Sequence, residues 1–220
     1  YTVVLKKKGP QEWVHDMNNS NKSQSKILKG DIGLNYQIND KHTLGIKYQP
    51  NKQLSEVGYR EIYTQVTTDG RLYDNIYSTG DNSSDYDWGH EVNAYYNGTV
   101  GSVNIDLNLD YFQNGNRDYS TVKELSENYE DRDVHSVGDV KNRLAAGKLV
   151  VSFPIGKGTF SVGSEVTYTH RNDDYLNEEN YVPDSYSKLE ETNTAAFAEY
   201  NRSFSWGDWS LGMRYEHDKF

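Results

Sequence analysis

The clearest pattern along the chain is an alternation of apolar and polar residues with a period of two. From Leu28 to Ile38 the even positions are apolar or glycine, and the odd positions carry Lys, Asp, Gly, Asn and Gln. The same alternation recurs in four further segments, at 44–48, 103–111, 160–169 and 209–216. A period of two indicates β-strands whose two faces meet different surroundings. The sequence therefore predicts an all-β chain.

The connections between these segments alternate between short and long. Short turns rich in Asn, Asp, Gly, Pro and Ser are predicted at 39–42, 97–101, 154–158 and 205–208. Long polar connections are predicted between them, at 9–23, 49–87, 113–141 and 171–191. Short turns at one end of the strands and long connections at the other are typical of an antiparallel up-and-down transmembrane β-barrel of the bacterial outer membrane.

The longest of these connections contains a further hairpin. Asp69-Gly70 is a favoured two-residue turn, and the segments 59–67 and 71–78 beside it have the composition of strands. We predict that this hairpin continues past the bilayer into the extracellular space. Together the patterns predict about nine or ten membrane strands, and nine can be placed, at 1–7, 25–38, 42–50, 88–97, 102–112, 143–153, 159–170, 192–204 and 209–217.

A soluble meander or sandwich is the alternative explanation, with one face on a core and the other in water. The spacing of aromatic residues favours the membrane. Phe160 and Tyr168 are eight residues apart on one face, about 26 Å along a strand. This distance matches the apolar band, about 25 Å tall, that lies between the two aromatic girdles of a membrane barrel. The residues predicted to face lipid are Leu28, Ile32, Leu34, Val103, Ile105, Leu107, Leu109, Phe160, Val162, Val166, Tyr168, Trp209, Leu211, Met213 and Tyr215.

One strand does not alternate cleanly because it is rich in alanine. Small residues can face either lipid or lumen, so the pattern of 194–201 leaves its register open. We expect Ala196, Ala198 and Tyr200 to point outward. The residues expected to point inward are Phe197, Glu199 and Asn201.

The composition agrees with a barrel. The mean hydropathy is −0.92 and only 35% of residues are hydrophobic, yet 19 tyrosines are spread along the chain. Low hydropathy is compatible with a membrane strand because half of its residues face a polar interior. No stretch approaches the roughly 18 apolar residues of a transmembrane helix. The net charge of −10 argues against a nucleic-acid partner.

The segment Asn193 to His217 carries a family resemblance. An Ala-rich strand with a Tyr is followed by a tight turn after an aromatic residue and by a Trp-Ser-Leu…Arg-Tyr-Glu strand. This hairpin resembles the barrel of TonB-dependent receptors, particularly the type abundant in Bacteroidetes. The segments 33–36 and 44–48, in which a Gly precedes a Tyr by three residues, have a sequence pattern of the same kind. The resemblance covers most of the chain as hairpins and is specific only in the last one.

The resemblance implies an N-terminal plug, a TonB box and a barrel of about 22 strands. We therefore expect residues 1–220 to be a single barrel segment, incomplete at both ends, in a Gram-negative outer membrane. Phe220 follows a strand that runs outward, so we do not read it as a terminal assembly signal. The implied partners are outer-membrane lipid, the rest of the barrel and its plug, TonB through regions outside this chain, and a surface lipoprotein. We expect such an open arc not to be a stable monomer in water, because its edges and apolar face would be uncovered.

Several residues invite a search for chemistry. His170 and His217 lie at outward strand ends beside acidic residues, as in a hydrolase at the rim, or are solvated bases. Acidic residues that could bind calcium, or simply repel one another in solution, are Glu124, Glu127, Glu130, Asp131, Asp133, Asp173, Asp174, Glu178 and Glu179. Tyrosines of the outward loops that could contact a ligand are Tyr119, Tyr129, Tyr175, Tyr181 and Tyr186. No catalytic residue, cofactor or metal site is predicted.

The function that follows from the resemblance is import of a siderophore, glycan or peptide by an energised receptor. A passive channel, or a structural or adhesive barrel without TonB coupling, is the alternative. A rim-active hydrolase is a third hypothesis, although we predict that the chain is not an enzyme.

Overall fold

The computed structural model describes residues 2–220, so Tyr1, the first residue of the predicted strand 1–7, lies outside the described residues. Strands make up the regular structure, and no helix of the described residues is long and apolar enough to cross a membrane. The strands are β1 (Thr2–Lys7), β2 (Trp13–Lys29), β3 (Ile32–Asn39), β4 (His42–Thr68), β5 (Arg71–Tyr86), β6 (Gly89–Val100), β7 (Val103–Ser126), β8 (Arg132–Ile155), β9 (Gly158–Asn177), β10 (Ser185–Phe204) and β11 (Gly207–Lys219).

All eleven strands form one antiparallel sheet. β2 and β3 follow each other along one side of β4, and β5 and β6 follow each other between β4 and β7. Across residues 2–220 the sheet therefore consists of nine lines of strand in chain order, each antiparallel to the next. β1 and β11 are its edges and do not pair with each other in this range. The predicted all-β, antiparallel up-and-down fold is confirmed.

The predicted long connections 9–23, 113–141 and 171–191 are wrong as loops, and in 49–87 strand extends beyond the segments 59–67 and 71–78 that the sequence predicts as strands. Most of 9–23, 49–87, 113–141 and 171–191 is strand, and β4 alone runs through 27 residues, roughly 90 Å. Only 8–12, 127–131 and 178–184 remain as longer connections at that end. The error has a physical cause: these extensions are polar on both faces, so they lack the alternation that marks a half-buried strand, although cross-strand hydrogen bonds satisfy their backbone as well as anywhere else.

The short turns lie where the pattern predicts them or a few residues later. They are Asp40-Lys41, Gly101-Ser102, Gly156-Lys157 and Ser205-Trp206, all at one end of the sheet. The predicted hairpin at Asp69-Gly70 is also present, and it lies at the opposite end. Both of its residues have positive φ, 49° and 75°, as a two-residue turn that follows the twist of the strands requires.

The positive φ of Gly70 predicts the effect of a substitution at this position. Gly70→Ala should destabilise the β4–β5 hairpin by about 1–2 kcal/mol, because a side chain in the left-handed region is strained even where space is open. The matched control is Gly138→Ala, whose added Cβ also meets open space but whose φ is ordinary. Urea unfolding of both variants measures the difference. Equal midpoints for the two variants would contradict the turn geometry.

The register assigns every strand residue to one of two faces, because directly opposed residues of antiparallel strands point to the same side. One row of opposed residues crosses the whole sheet: Leu34, Ile46, Ala94, Leu109, Gly147, Val166, Thr194 and His217. All fifteen residues predicted to face lipid lie on the face of this row, which we call the apolar face. The other side is the polar face. The assignment of the apolar face to lipid itself stays a prediction.

The sheet has almost no interior. Among the apolar residues of 2–220 only Val66 and Ala195 are buried, whereas Leu211 and Met213 are each 76% exposed. A soluble sandwich would cover one face with a second layer. The described residues form a single sheet, and the apolar face is left open.

Candidate functional site

The polar face carries a network of charged and amide side chains along its length. Lys47 Nζ lies 3.1 Å from Asp31 Oδ2, and Tyr95 Oη donates to Asn35 Oδ1 over 2.8 Å. Farther across the sheet, Asn93 Nδ2 donates to an oxygen of the Asp110 carboxylate over 2.7 Å. These groups are paired with one another at the surface, as suits a face that meets water or another polar element.

Phe197 is the centre of a second polar-face cluster. Its ring lies 5.6 Å from both Lys148 Nζ and Arg214 Cζ, within the range of cation–π attraction. Glu165 Oε2 bridges the same two cations, at 4.0 Å and 3.3 Å. The ring fills the space where Gly163 has no side chain. An apolar ring on this face is thus accommodated by cations on both sides.

The predicted split of the Ala-rich strand is confirmed. The residues on the polar face are Phe197, Glu199 and Asn201, opposite Gly163, Ser161 and Thr159. Ala196, Ala198 and Tyr200 lie on the apolar face. Tertiary pairing therefore resolves a register that composition left open.

An aromatic cluster lies at the end of the sheet away from the short turns. The rings of Trp13 and Tyr73 meet edge to face at 5.0 Å between centroids. Tyr73 and Tyr129 share a hydrogen bond of 2.8 Å between their hydroxyls. Of these three only Tyr129 is among the predicted ligand contacts. Trp13 fell in a predicted loop, and Tyr73 lies at an irregularity in the β4–β5 register that no sequence pattern announces.

Asp74 holds this cluster in place. Its side chain is 1% exposed, and its two oxygens accept hydrogen bonds from Ser126 Oγ (2.7 Å) and from the Glu127 backbone N–H (3.0 Å). Ser126 Oγ in turn accepts the backbone N–H of Tyr129 at 3.0 Å. The 127–131 connection that carries Tyr129 is therefore built on a buried carboxylate from β5.

The other predicted tyrosines do not converge with Tyr129. Tyr119, Tyr175 and Tyr186 lie in strands β7, β9 and β10, so their predicted location in loops is wrong. Tyr119 and Tyr186 are on the side of the apolar face, and Tyr175 is on the polar side. Tyr181 does lie in a connection, 178–184, where the Arg132 guanidinium is 5.8 Å from its ring. Contact of these five residues with a ligand stays a prediction.

Tyr119 lines a cavity of about 550 Å³ on the apolar side, in the half of the sheet away from the short turns, together with Lys22, Val57, Tyr59, Asp81 and Thr121. Next to it, the Glu61 carboxylate accepts hydrogen bonds of 3.1 Å from both Tyr59 and Tyr77. The hydrogen bond to Glu61 raises the pKa of Tyr59 to about 12. These hydroxyls therefore stay protonated and act as hydrogen-bond donors at any physiological pH.

His135 and two glutamates form the one group of metal-ligating side chains found within residues 2–220. Ligand atoms of His135, Glu178 and Glu179 all lie within 4.8 Å of one another. His135 Nδ1 donates to Glu179 Oε1 (2.5 Å), and its backbone N–H donates to Oε2 (2.8 Å). Such nitrogen and oxygen ligands suit a borderline cation such as Zn²⁺. The two glutamates belong to a predicted acidic cluster, whereas His135 is more than 40 residues away in sequence.

The contact between His135 and Glu179 should make the stability of this region depend on pH. The hydrogen bond to Glu179 raises the pKa of His135 above its usual 6.5, and the His135 backbone N–H lowers the pKa of Glu179 below its usual 4.5. The stability that the protonated His135 imidazole gives to the 178–184 connection is fully present below pH 6.5. It is lost as pH rises through the raised pKa of His135. The stability that the ionised Glu179 carboxylate gives is fully present above pH 4.5, and it is lost as pH falls through the lowered pKa of Glu179.

Glu179→Gln should therefore bring the pKa of His135 back toward 6.5, which an NMR titration of the imidazole would measure. Glu178→Gln is the control, because the Glu178 carboxylate acts on the imidazole only through space and its loss should lower the pKa of His135 less. The backbone hydrogen bond from Glu178 N–H to the His135 carbonyl is kept in this variant. An imidazole that titrates alike in the original protein and in Glu179→Gln would refute the pair.

The two rim histidines do not form a joint site. His170 Nδ1 is 3.3 Å from Glu190 Oε1, which also pairs with Lys188. His217 lies opposite Thr194, four residues along β10 from Glu190, the residue opposite His170. The two imidazoles therefore do not contact each other or share a partner among the described residues.

No protein-family model matches the chain, and no curated protein matches its sequence. Similar solved structures include the unliganded ferric citrate transporter FecA, with a TM-score of 0.41 at 11% identity over 94% of this chain and 36% of that one. BauA, the ferric preacinetobactin receptor from Acinetobacter baumannii, has a TM-score of 0.33 at 11% identity over 91% and 38%. The outer membrane transporter YddB from Escherichia coli has a TM-score of 0.38 at 9% identity, over 94% of this chain and 34% of that one. The chain spans about a third of the length of these three structures.

Proposed function

We propose that this chain is an arc of a transmembrane β-barrel in a Gram-negative outer membrane, and that the complete barrel imports a nutrient as a TonB-dependent receptor. One observation carries the membrane placement: a single apolar face crosses every line of strand from β3 to β11 and is uncovered. In water this face would be a large aggregation-prone patch. In lipid it is the surface that the bilayer requires.

The aromatic residues of the apolar face support this placement. Tyr48, Tyr111 and Tyr168 share one row across the sheet, in which each opposes a small or β-branched neighbour. Toward the short turns, Phe153 and Phe160 pack edge to face at 5.6 Å. Phe160 and Tyr168 both lie on β9, about 26 Å apart, which is the height of a bilayer's apolar band.

Two features favour a receptor over a simple channel. The strands continue far past the aromatic row, and their ends carry the Trp13–Tyr73–Tyr129 cluster, on which an arriving ligand can stack. The polar face is lined with paired charges such as Lys47–Asp31, which suit contact with a plug. TonB coupling, the plug and a surface lipoprotein partner follow from the resemblance of 193–217 and belong to the proposal, as does the class of nutrient: a siderophore, glycan or peptide.

The test separates energised import from passive flow. The complete protein that contains this chain is placed in planar bilayers, and cells lacking its gene are compared with complemented cells for nutrient uptake. We expect no steady conductance and an uptake that stops when the proton-motive force is collapsed. Steady conductance without an energy source would support the passive alternative and end the proposal of TonB coupling. Hydrolytic activity that disappears in His170→Ala or His217→Ala would instead support the rim hydrolase.

A further inference from the structure

Cations collect on the apolar side of the sheet directly beyond its aromatic row. Ala145 lies in the row of Tyr111 and Tyr168, and the next two residues of β8 on the same face are Arg143 and Lys141. Lys188 of β10 shares the row of Lys141, since both are opposed to Asn172. We call Lys141, Arg143 and Lys188 the cationic patch. All three are exposed, in a chain whose net charge is −10.

The charge differs between the two sides at this height. Over the two rows beyond Tyr168, the charged residues that pairing places on the apolar side are Lys52, Lys141, Arg143, Lys188 and Glu190. Those placed on the polar side are Lys29, Asp31, Glu91, Arg171 and Glu191. The Asp87 carboxylate also lies on the apolar side, where a Cβ on Gly115 would meet it at 2.5 Å, and Gly115 is opposed to Lys141. The apolar side thus has four cations and two carboxylates, whereas the polar side has two cations and three carboxylates. The net charge at this height is therefore positive on the side that continues the apolar surface and negative on the other side.

The cations of the patch are free to bind an anion. Arg143 makes no ion pair or side-chain hydrogen bond within the described part of the chain. Lys141 and Lys188 pair only with groups of their own strands, the half-buried Asp139 at 3.6 Å and the exposed Glu190 at 2.8 Å. Asp139 also has a closer partner, Arg117 at 2.6 Å, so it does not depend on Lys141. Ion pairs of exposed lysines contribute little to stability, so an incoming phosphate can replace them.

We propose that the cationic patch binds the phosphates of outer-leaflet lipid headgroups, an inference that rests on the membrane placement proposed above. Residues just past an aromatic row lie at the level of the headgroups. Arg143 and Lys141 are about 7 Å apart along β8, and Lys188 is two strands away, about 10 Å. This spread fits a headgroup that bears more than one phosphate. Anionic lipid is the occupant that charge complementarity and continuity with the apolar face select.

The test uses the complete protein in a nonionic detergent and native mass spectrometry to count bound lipid. Diphosphorylated lipid A, its monophosphorylated form and phosphatidylcholine are the probes, with inorganic phosphate as a competitor. We expect the affinity to fall in that order of lipids. Each removed cation should weaken binding of diphosphorylated lipid A about fivefold, since a Lys or Arg near an anionic lipid surface contributes about 1 kcal/mol.

The variants are Arg143→Gln alone and Lys141→Gln/Arg143→Gln/Lys188→Gln together, with an expected loss of about fivefold and about a hundredfold. Arg171→Gln is the matched control, a cation at the same height on the polar side, and should bind lipid as before. Unchanged lipid binding in the triple variant, or in the single variant if the triple variant does not fold, would overturn the proposal. So would displacement of the lipid by millimolar inorganic phosphate, which would indicate a site for soluble anions. A chain that is monodisperse without detergent would instead refute the membrane placement.

Discussion

Leu149→Arg should lower the free energy of unfolding from a bilayer by about 2–4 kcal/mol, the cost of an Arg on the lipid side near the midplane. Leu149 lies on the apolar face halfway between Ala145, in the upper aromatic row, and Phe153 near the short turns. In the proposed placement this side chain faces lipid, where a guanidinium has no water to solvate it. Urea titration of the protein folded in zwitterionic vesicles, followed by tryptophan fluorescence, measures the loss.

Val150→Arg is the matched control, because the two residues are adjacent, both apolar and differ in the face they occupy. Val150 opposes Asp106 and Gly163 on the polar face, where a new guanidinium has a carboxylate beside it. We expect its effect to stay below about 1 kcal/mol. If both substitutions cost the same, the two faces do not differ in their surroundings, and the apolar face does not meet lipid.

Asp74→Ala should release the 127–131 connection and cost about 3 kcal/mol, since each lost hydrogen bond to a charged group is worth about 1.5–3 kcal/mol. The substitution removes the acceptor of both the Ser126 hydroxyl and the Glu127 backbone N–H. Tyr129 then loses its fixed position beside Tyr73. Hydrogen exchange of the amides of 126–131 reports the release directly.

Asp74→Asn is the control for this position, because it keeps one carbonyl acceptor and the volume of the side chain. We expect its exchange rates to lie between those of the original protein and of Asp74→Ala. Protection of 126–131 that persists in Asp74→Ala would show that the connection is ordered by something other than this carboxylate.

The part of the fold that the sequence predicts is the part with two different faces. Between Phe160 and Tyr168 one face is apolar and the other polar, and the sequence predicts the strand, the division of its residues between the two faces and the turn within 154–158. Away from the short turns, most of the strand extensions cannot be predicted because both of their faces are largely polar; the exceptions are the hairpin segments 59–67 and 71–78. The segment from Asn18 to Gln24 consists only of Asn, Ser, Lys and Gln and reads as a loop, yet it pairs residue by residue with β4.

The candidate site depends on contacts between distant parts of the chain. Trp13 and Tyr73 meet because β2 and β5 flank β4, and Tyr129 joins them through Asp74. His135 reaches Glu179 because β8 and β9 stay in register up to Asn177. No local pattern encodes such pairings. Single members of a cluster, such as Tyr129 or Glu179, can be predicted from composition, whereas their partners cannot.

The most direct test of the membrane placement is a cysteine scan along β9, which the absence of cysteine from the chain makes clean. Single cysteines at each position from 160 to 168 are labelled with a fluorophore, and quenching by a lipid-soluble quencher and by a water-soluble one is compared in vesicles. The account predicts strict alternation: lipid quenching at the even positions, on the apolar face, and aqueous quenching at the odd ones. Uniform aqueous quenching at every position would contradict it.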